Sequence, residues 1–195
     1  ETDRRRMFGK NEPALVTSPL MVRMLLIVHY SDRHLPEQRA ELFMRATDVL
    51  LLPDFGRDES VAGQIGRMVG GSRERHRDML EHLAFMMHSK GEKLGREIEE
   101  QDLRKILSSV PDFSPHVDSL IALTCTRGSV LEENLGSYRF IHLGFQEYLA
   151  GRYLAEVVRS QSGIDGILQF LLAGPLLESW WREPILLAVG HLGIS

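Results

Sequence analysis

Apolar residues recur at helical spacing along most of the chain, and the interruptions divide it into segments. Residues 1–12 are polar and charged, with no apolar period. From Leu15 onward, Leu20, Met24, Leu25 and Val28 follow at three- to five-residue steps, with Ser18-Pro19 supplying a cap and first turn. A second helix opens at Leu35-Pro36-Glu37 and carries Leu42, Phe43, Ala46, Val49 and Leu50 until Pro53 stops it. The two are expected to form an antiparallel pair. Residues 53–72 hold Gly56, Gly63, Gly66, Gly70 and Gly71 and few packing side chains, which predicts a loop or connector.

Beyond that break the pattern sharpens. Ser72 is expected to cap a helix whose face holds Met79, Leu80, Leu83, Met86 and Met87 and which ends before Gly91. Asp102 to Leu107 and Pro115 to Thr126 predict two further helices, the latter carrying Val117, Leu120, Ile121 and Leu123. Ser129-Val130-Leu131 and Tyr138-Arg139-Phe140-Ile141 are β-prone, and the link Glu132 to Ser137 contains the Asn and Gly of a hairpin turn. Helix, helix, hairpin, helix is the order of a winged-helix domain, and residues 80–158 fill it. Ile164 to Leu172 and Trp181 to Leu192 read as additional helices separated by Gly174-Pro175, the second with an apolar stripe of Leu186, Val189 and Leu192. The fold expected is mainly α: a helical bundle over 1–71, a winged-helix domain with one small β-hairpin over 72–160, and the start of a second helical domain over 161–195.

Composition narrows the chemistry. With 195 residues, 43% hydrophobic and 26% charged, the chain is long and apolar enough to bury a core. Its single cysteine, Cys125, permits neither an internal disulfide nor a thiolate zinc cage, and a reducing, cytoplasmic setting fits it most simply. A net charge of -4 gives no global attraction to nucleic acid. The longest apolar run, Leu20 to Tyr30, is short and broken by Arg23, so no membrane span is expected. The start at Glu1-Thr2-Asp3 and the end within an apolar helix are expected of a piece of a longer protein.

No phosphate loop, H-E-x-x-H helix or G-x-S-x-G elbow is present, so the chain alone is not expected to be an enzyme. His29 with His34 and His82 with His88 miss the i, i+4 spacing of a metal pair, and no metal site is expected. Arg4-Arg5-Arg6 and Arg67, Arg73, Arg75 and Arg77 offer local positive charge, and winged helices often bind DNA. The wing's Glu132 and Glu133 would repel phosphates. By its residues alone, His142 at a strand-to-helix junction is a capping or half-buried structural residue, and Pro19 is a first-turn helix proline.

Three stretches carry a resemblance. Thr17-Ser18-Pro19-Leu20 to Leu25, followed by Leu35-Pro36-Glu37-Gln38-Arg39-Ala40-Glu41-Leu42-Phe43, resembles the "NPL" and "LPxxRxELY" helices that follow the nucleotide-binding core of NACHT-type NTPases. Arg127 to Leu131 and Tyr138-Arg139-Phe140-Ile141-His142-Leu143-Gly144-Phe145-Gln146-Glu147-Tyr148-Leu149-Ala150 are similar to the winged-helix hallmark of that family. Trp180-Trp181-Arg182-Glu183 looks like the "WWRE" opening of the helical region that comes next. The matches occur in family order over residues 15–190. Departures are Thr17-Ser18 for the common Glu-Asn, Val130 for leucine and Gly151 for a second alanine.

The resemblance implies a regulatory, nucleotide-gating part of a STAND-class signal-transduction ATPase, without its P-loop half. In such proteins the ATPase core and winged helix close on ADP in an off state, and exchange for ATP opens the protein to oligomerise and signal, in innate immunity or antiphage defence. Carried over, Pro19 would pack on adenine and His142 would donate to the β-phosphate of ADP. The implied cofactors are ADP and ATP, with Mg²⁺ in the longer protein and no tight binding to this chain alone. The implied partners are the P-loop core and further copies. The alternatives are a winged-helix DNA-binding regulator and a protein-interaction scaffold.

Overall fold

The computed structural model describes residues 22, 25, 26, 28, 29, 39–50, 73–124, 130–157, 160 and 163–194. Among the described residues, seven named helices accompany a small antiparallel sheet. They are α1 (Arg39–Leu50), α2 (Arg73–His88), α3 (Glu100–Ser108), α4 (Val117–Thr124), α5 (Leu143–Val157), α6 (Gly163–Leu172) and α7 (Arg182–Ile194). The strands are β1 (Ile98–Glu99), β2 (Leu131–Asn134) and β3 (Ser137–Phe140), with β3 in the centre. The mainly helical architecture expected from the pattern is observed.

The sheet is larger than one hairpin. Ile98 pairs with Tyr138 and Glu99 with Ser137, adding a two-residue strand ahead of α3. Periodicity missed it because buried Ile98 is a single apolar residue among Glu97, Glu99 and Glu100. The turn is tighter than the expected link over 132–137. Leu131 pairs with Phe140 and Asn134 with Ser137, leaving only Leu135-Gly136 to turn the chain, both at positive φ, 53° and 85°. The Glu132 carboxylate accepts from Arg139 across the ladder at 2.5 Å, and Glu133 accepts the Gly136 N–H at 2.7 Å. The expected turn residue Asn134 therefore ends a strand, and Leu135 takes the left-handed position.

Two long helices form the spine. In α2 the buried arc is Met79, Leu80, Leu83, Ala84 and Met87, while Met86, expected on that face, lies at its margin and is exposed. Gly91, at φ 80°, closes the end of α2 as its position predicted. In α5, Phe145, Tyr148 and Leu149 are buried and, with Phe140 of β3, belong to the core. One continuous core joins these residues to Val28, Leu42 and Phe43 on one side and Leu187 of α7 on the other.

Helix α7 reverses an expectation: Leu186, Val189 and Leu192 face outward, and Pro184, Leu187, Ala188 and His191 face inward. Small residues decide which side docks. A Cβ at Gly151 of α5 would lie 2.5 Å from the Pro184 carbonyl oxygen, and one at Gly190 would lie 3.0 Å from Ala40 Cβ. The backbones approach closely on that side, at Gly151 and Gly190. The same contact accounts for glycine at 151, where the resemblance would have placed alanine.

Candidate functional site

His142 stands between the end of β3 and the start of α5 and is half-buried. The Gly144 backbone N–H donates to its Nδ1 at 3.0 Å, so the side chain caps the first turn of α5. An Nδ1 that accepts has no proton of its own, so in the neutral ring the proton sits on Nε2. Burial holds the His142 pKa below the ordinary imidazole value and favours that neutral form near pH 7. The chemistry available is one oriented N–H donor at the amino end of a 15-residue helix, where aligned peptide dipoles also favour an anion.

Helix α1 reaches this junction through Phe43. Its ring lies edge-on to Phe145 at 5.9 Å and stacks on Tyr148 at 5.8 Å between centroids. Gly144 lies between that ring and the imidazole: a Cβ there would come within 2.8 Å of Phe43 Cζ and 3.1 Å of His142 Nδ1. Pro19, the other candidate, lies outside the described residues, as do Arg127, Gly128 and Ser129 of the winged-helix motif.

One turn further along α5, half-buried Glu147 meets charges from its neighbours. Burial and the nearby Glu183 push its pKa up to about 7, against the pull of Arg39 and Arg96. Arg39 of α1 and Glu183 of α7 are paired at 3.0 Å. Glu147 thus changes charge near neutral pH where three helices meet. These charges come from neighbouring elements, so Glu147 faces partners within the protein.

A separate ionic junction sits deeper between α2 and α5. Arg152 contacts Glu81 at 2.8 Å with both side chains largely buried, and burial raises the Glu81 pKa to about 7 despite the arginine. Arg77 of α2 pairs with Asp48 of α1 at 2.5 Å, and His191 of α7 donates from Nε2 to Glu156 of α5 at 2.8 Å. These pairs tie α1 and α7 to the spine. Arg77, read from sequence as a local basic patch, is engaged inside the protein. Sequence spacing gave no sign of the pairs, because each joins residues at least 29 positions apart.

The Trp180-Trp181 pair docks on the end of α2. His88 donates from Nε2 to the Trp180 carbonyl, and Trp180 Nε1 donates to the His88 carbonyl, each at 2.9 Å. The His88 and Trp180 rings stack at 4.1 Å, and Trp181 meets His88 edge-on at 4.7 Å. Burial lowers the His88 pKa to about 4. Among the described residues no group of three or more His, Cys, Asp or Glu is arranged to hold a metal ion, and no helix is long and apolar enough to cross a membrane. Comparison with protein-family models, curated proteins and solved structures finds no significant match.

Proposed function

We propose that this chain is the nucleotide-gating part of a NACHT-type STAND ATPase, closing over ADP in an off state and opening on exchange for ATP. The observation that carries the proposal is the fixed imidazole of His142. Its Nδ1 is engaged by the Gly144 N–H, which leaves an Nε2–H donor at the start of α5. A neutral donor suits a phosphate oxygen, and the amino end of the helix adds a favourable field. Pro19 supplies the flat apolar face for adenine by the resemblance of its segment.

A hydrogen bond to a charged phosphate contributes roughly 1.5–3 kcal/mol. If the bond forms only in the closed arrangement, that range biases a two-state equilibrium by about ten-fold or more. No residue here is assigned to hydrolysis. ATP cleavage belongs to the P-loop core and its Mg²⁺, which would be this chain's partner, in a reducing, cytoplasmic setting. Opening exposes surfaces for self-association.

The DNA-binding alternative is weakened by the charges where a winged helix reads DNA. Helix α4 carries Asp118 and no lysine or arginine, and strand β2 carries Glu132 and Glu133. The deciding experiment compares bound nucleotide in the longer protein, with its P-loop core, between wild type and His142→Ala. Retention of ADP by wild type and its loss from the variant supports the gate. Equal retention sinks it and leaves His142 as a cap.

A further inference from the structure

We propose that Phe43 and Gly144 are positioning residues for His142, holding its imidazole with the proton on Nε2, so that helix α1 has a direct hold on the gate. The inference rests on the gating function above. Gly144 is the second residue of α5, where alanine would favour the helix by about 0.5–1 kcal/mol. Its backbone does not adopt the left-handed conformation that calls for glycine. Space is what excludes a side chain. A Cβ would meet Phe43 Cζ at 2.8 Å, Phe43 Cε1 at 3.0 Å and His142 Nδ1 at 3.1 Å.

Phe43 has little freedom to yield. It is 2% exposed and packs against both Phe145 and Tyr148. The ring therefore fixes where the Gly144 backbone lies, and the Gly144 N–H in turn selects the acceptor nitrogen of His142. Helix α1 is anchored at both ends, by Arg39 to Glu183 and by Asp48 to Arg77. A shift of α1 against α5 removes one wall of the slot and frees the imidazole to exchange tautomers. The gate then loses its oriented donor while the rest of α5 stays folded.

The test is a long-range proton–nitrogen NMR spectrum of the 195-residue chain, which distinguishes protonated from unprotonated imidazole nitrogens. Wild type is expected to show His142 with Nδ1 bare and Nε2 protonated. Gly144→Ala is expected to give a mixture of tautomers and a His142 titration shifted up toward the ordinary value of 6.5. Phe43→Leu should move both in the same direction. The double variant should restore the single tautomer, because the new methyl group fills the space the ring vacates.

A proton on Nδ1 in wild type, or a folded Gly144→Ala chain with the wild-type His142 spectrum, overturns the proposal. Should Gly144→Ala fail to fold, Phe43→Leu and the double variant decide it on the same criterion. In the longer protein, Gly144→Ala should weaken ADP retention at least about five-fold, the low end of couplings between sites. If His142→Ala leaves ADP bound while the spectra behave as expected, the gating function fails and the tautomer control stands. If His142→Ala releases ADP and the spectra of the variants do not change, the positioning role fails alone.

Discussion

His88 and His142 each sit at the end of a long helix, and burial lowers the pKa of both, yet their surroundings differ in kind. His88 closes the carboxyl end of α2 with its ring between Trp180 and Trp181, its Nε2 bonded, and its Nδ1 buried without a partner among the described residues. His142 opens the amino end of α5 and, among the described residues, is bonded on Nδ1 only. One imidazole is enclosed by the two tryptophan rings. The other leaves its Nε2 without a partner among the described residues. A lowered pKa accompanies both, so the titration of a histidine does not separate a structural role from a ligand-binding one. The two differ in which nitrogen is bonded and in how deeply the ring is enclosed.

The sharpest way to break the comparison is at the tryptophan. Trp180→Ala removes the half-buried stacked ring and the donor to the His88 carbonyl, and should cost about 2 kcal/mol in urea unfolding. A loss below about 1 kcal/mol would show that the His88 end is not the structural lock described.

Acid–base behaviour gives the next test. Glu81 and Glu147, both raised to about 7, bind protons more tightly folded than unfolded, so they make stability fall as pH rises from about 4.5 to 7. His88 and His76, both lowered to about 4, act oppositely and make it rise between about 4 and 6.5. Relative to wild type, Glu81→Gln should therefore gain stability as pH increases through 4.5–7. A constant difference across that range would refute the buried-acid assignment.

The His142 end is finer. His142→Ala should cost about 1 kcal/mol, the usual value of a lost amino-terminal cap. His142→Asp should keep chain stability within about 0.5 kcal/mol of wild type, because aspartate caps equally well and complements the helix dipole. In the longer protein the same variant should lose ADP, since it places a negative charge at the phosphate. Retention of both stability and ADP in His142→Asp would make the residue a cap only. The smallest effect lies at the hairpin, where Leu135 is 97% exposed with φ 53°. Leu135→Asn should raise stability by roughly 0.5 kcal/mol, because asparagine tolerates the left-handed turn position better. Thermal unfolding would detect it.

Much of the helix content was legible because burial imposes a 3.6-residue period on α2, because Gly91 marks its end, and because the order of helices and hairpin called for a helix at α5. β1 was not legible, since two residues carry no period. The stripe Leu186, Val189 and Leu192 was misleading because an apolar face says nothing about which partner approaches it. Of the candidate site, His142 was legible through the motif around it, whereas Phe43 read only as a core residue of another helix. The constraint at Gly144 was invisible, because a glycine that lacks room for a side chain looks in sequence like any other.

The sequence by itself determined the mainly helical class, the hairpin region and the strand-to-helix junction that carries His142. Those follow from local spacing and from turn chemistry, which neighbouring residues fix. Tertiary structure alone decided which face of α7 is buried, that Arg77 and Arg152 serve internal pairs, and that Phe43 meets Gly144 beside His142. Contacts between residues far apart in the chain depend on how helices cross, and the crossings are set by the few places where small residues let backbones approach.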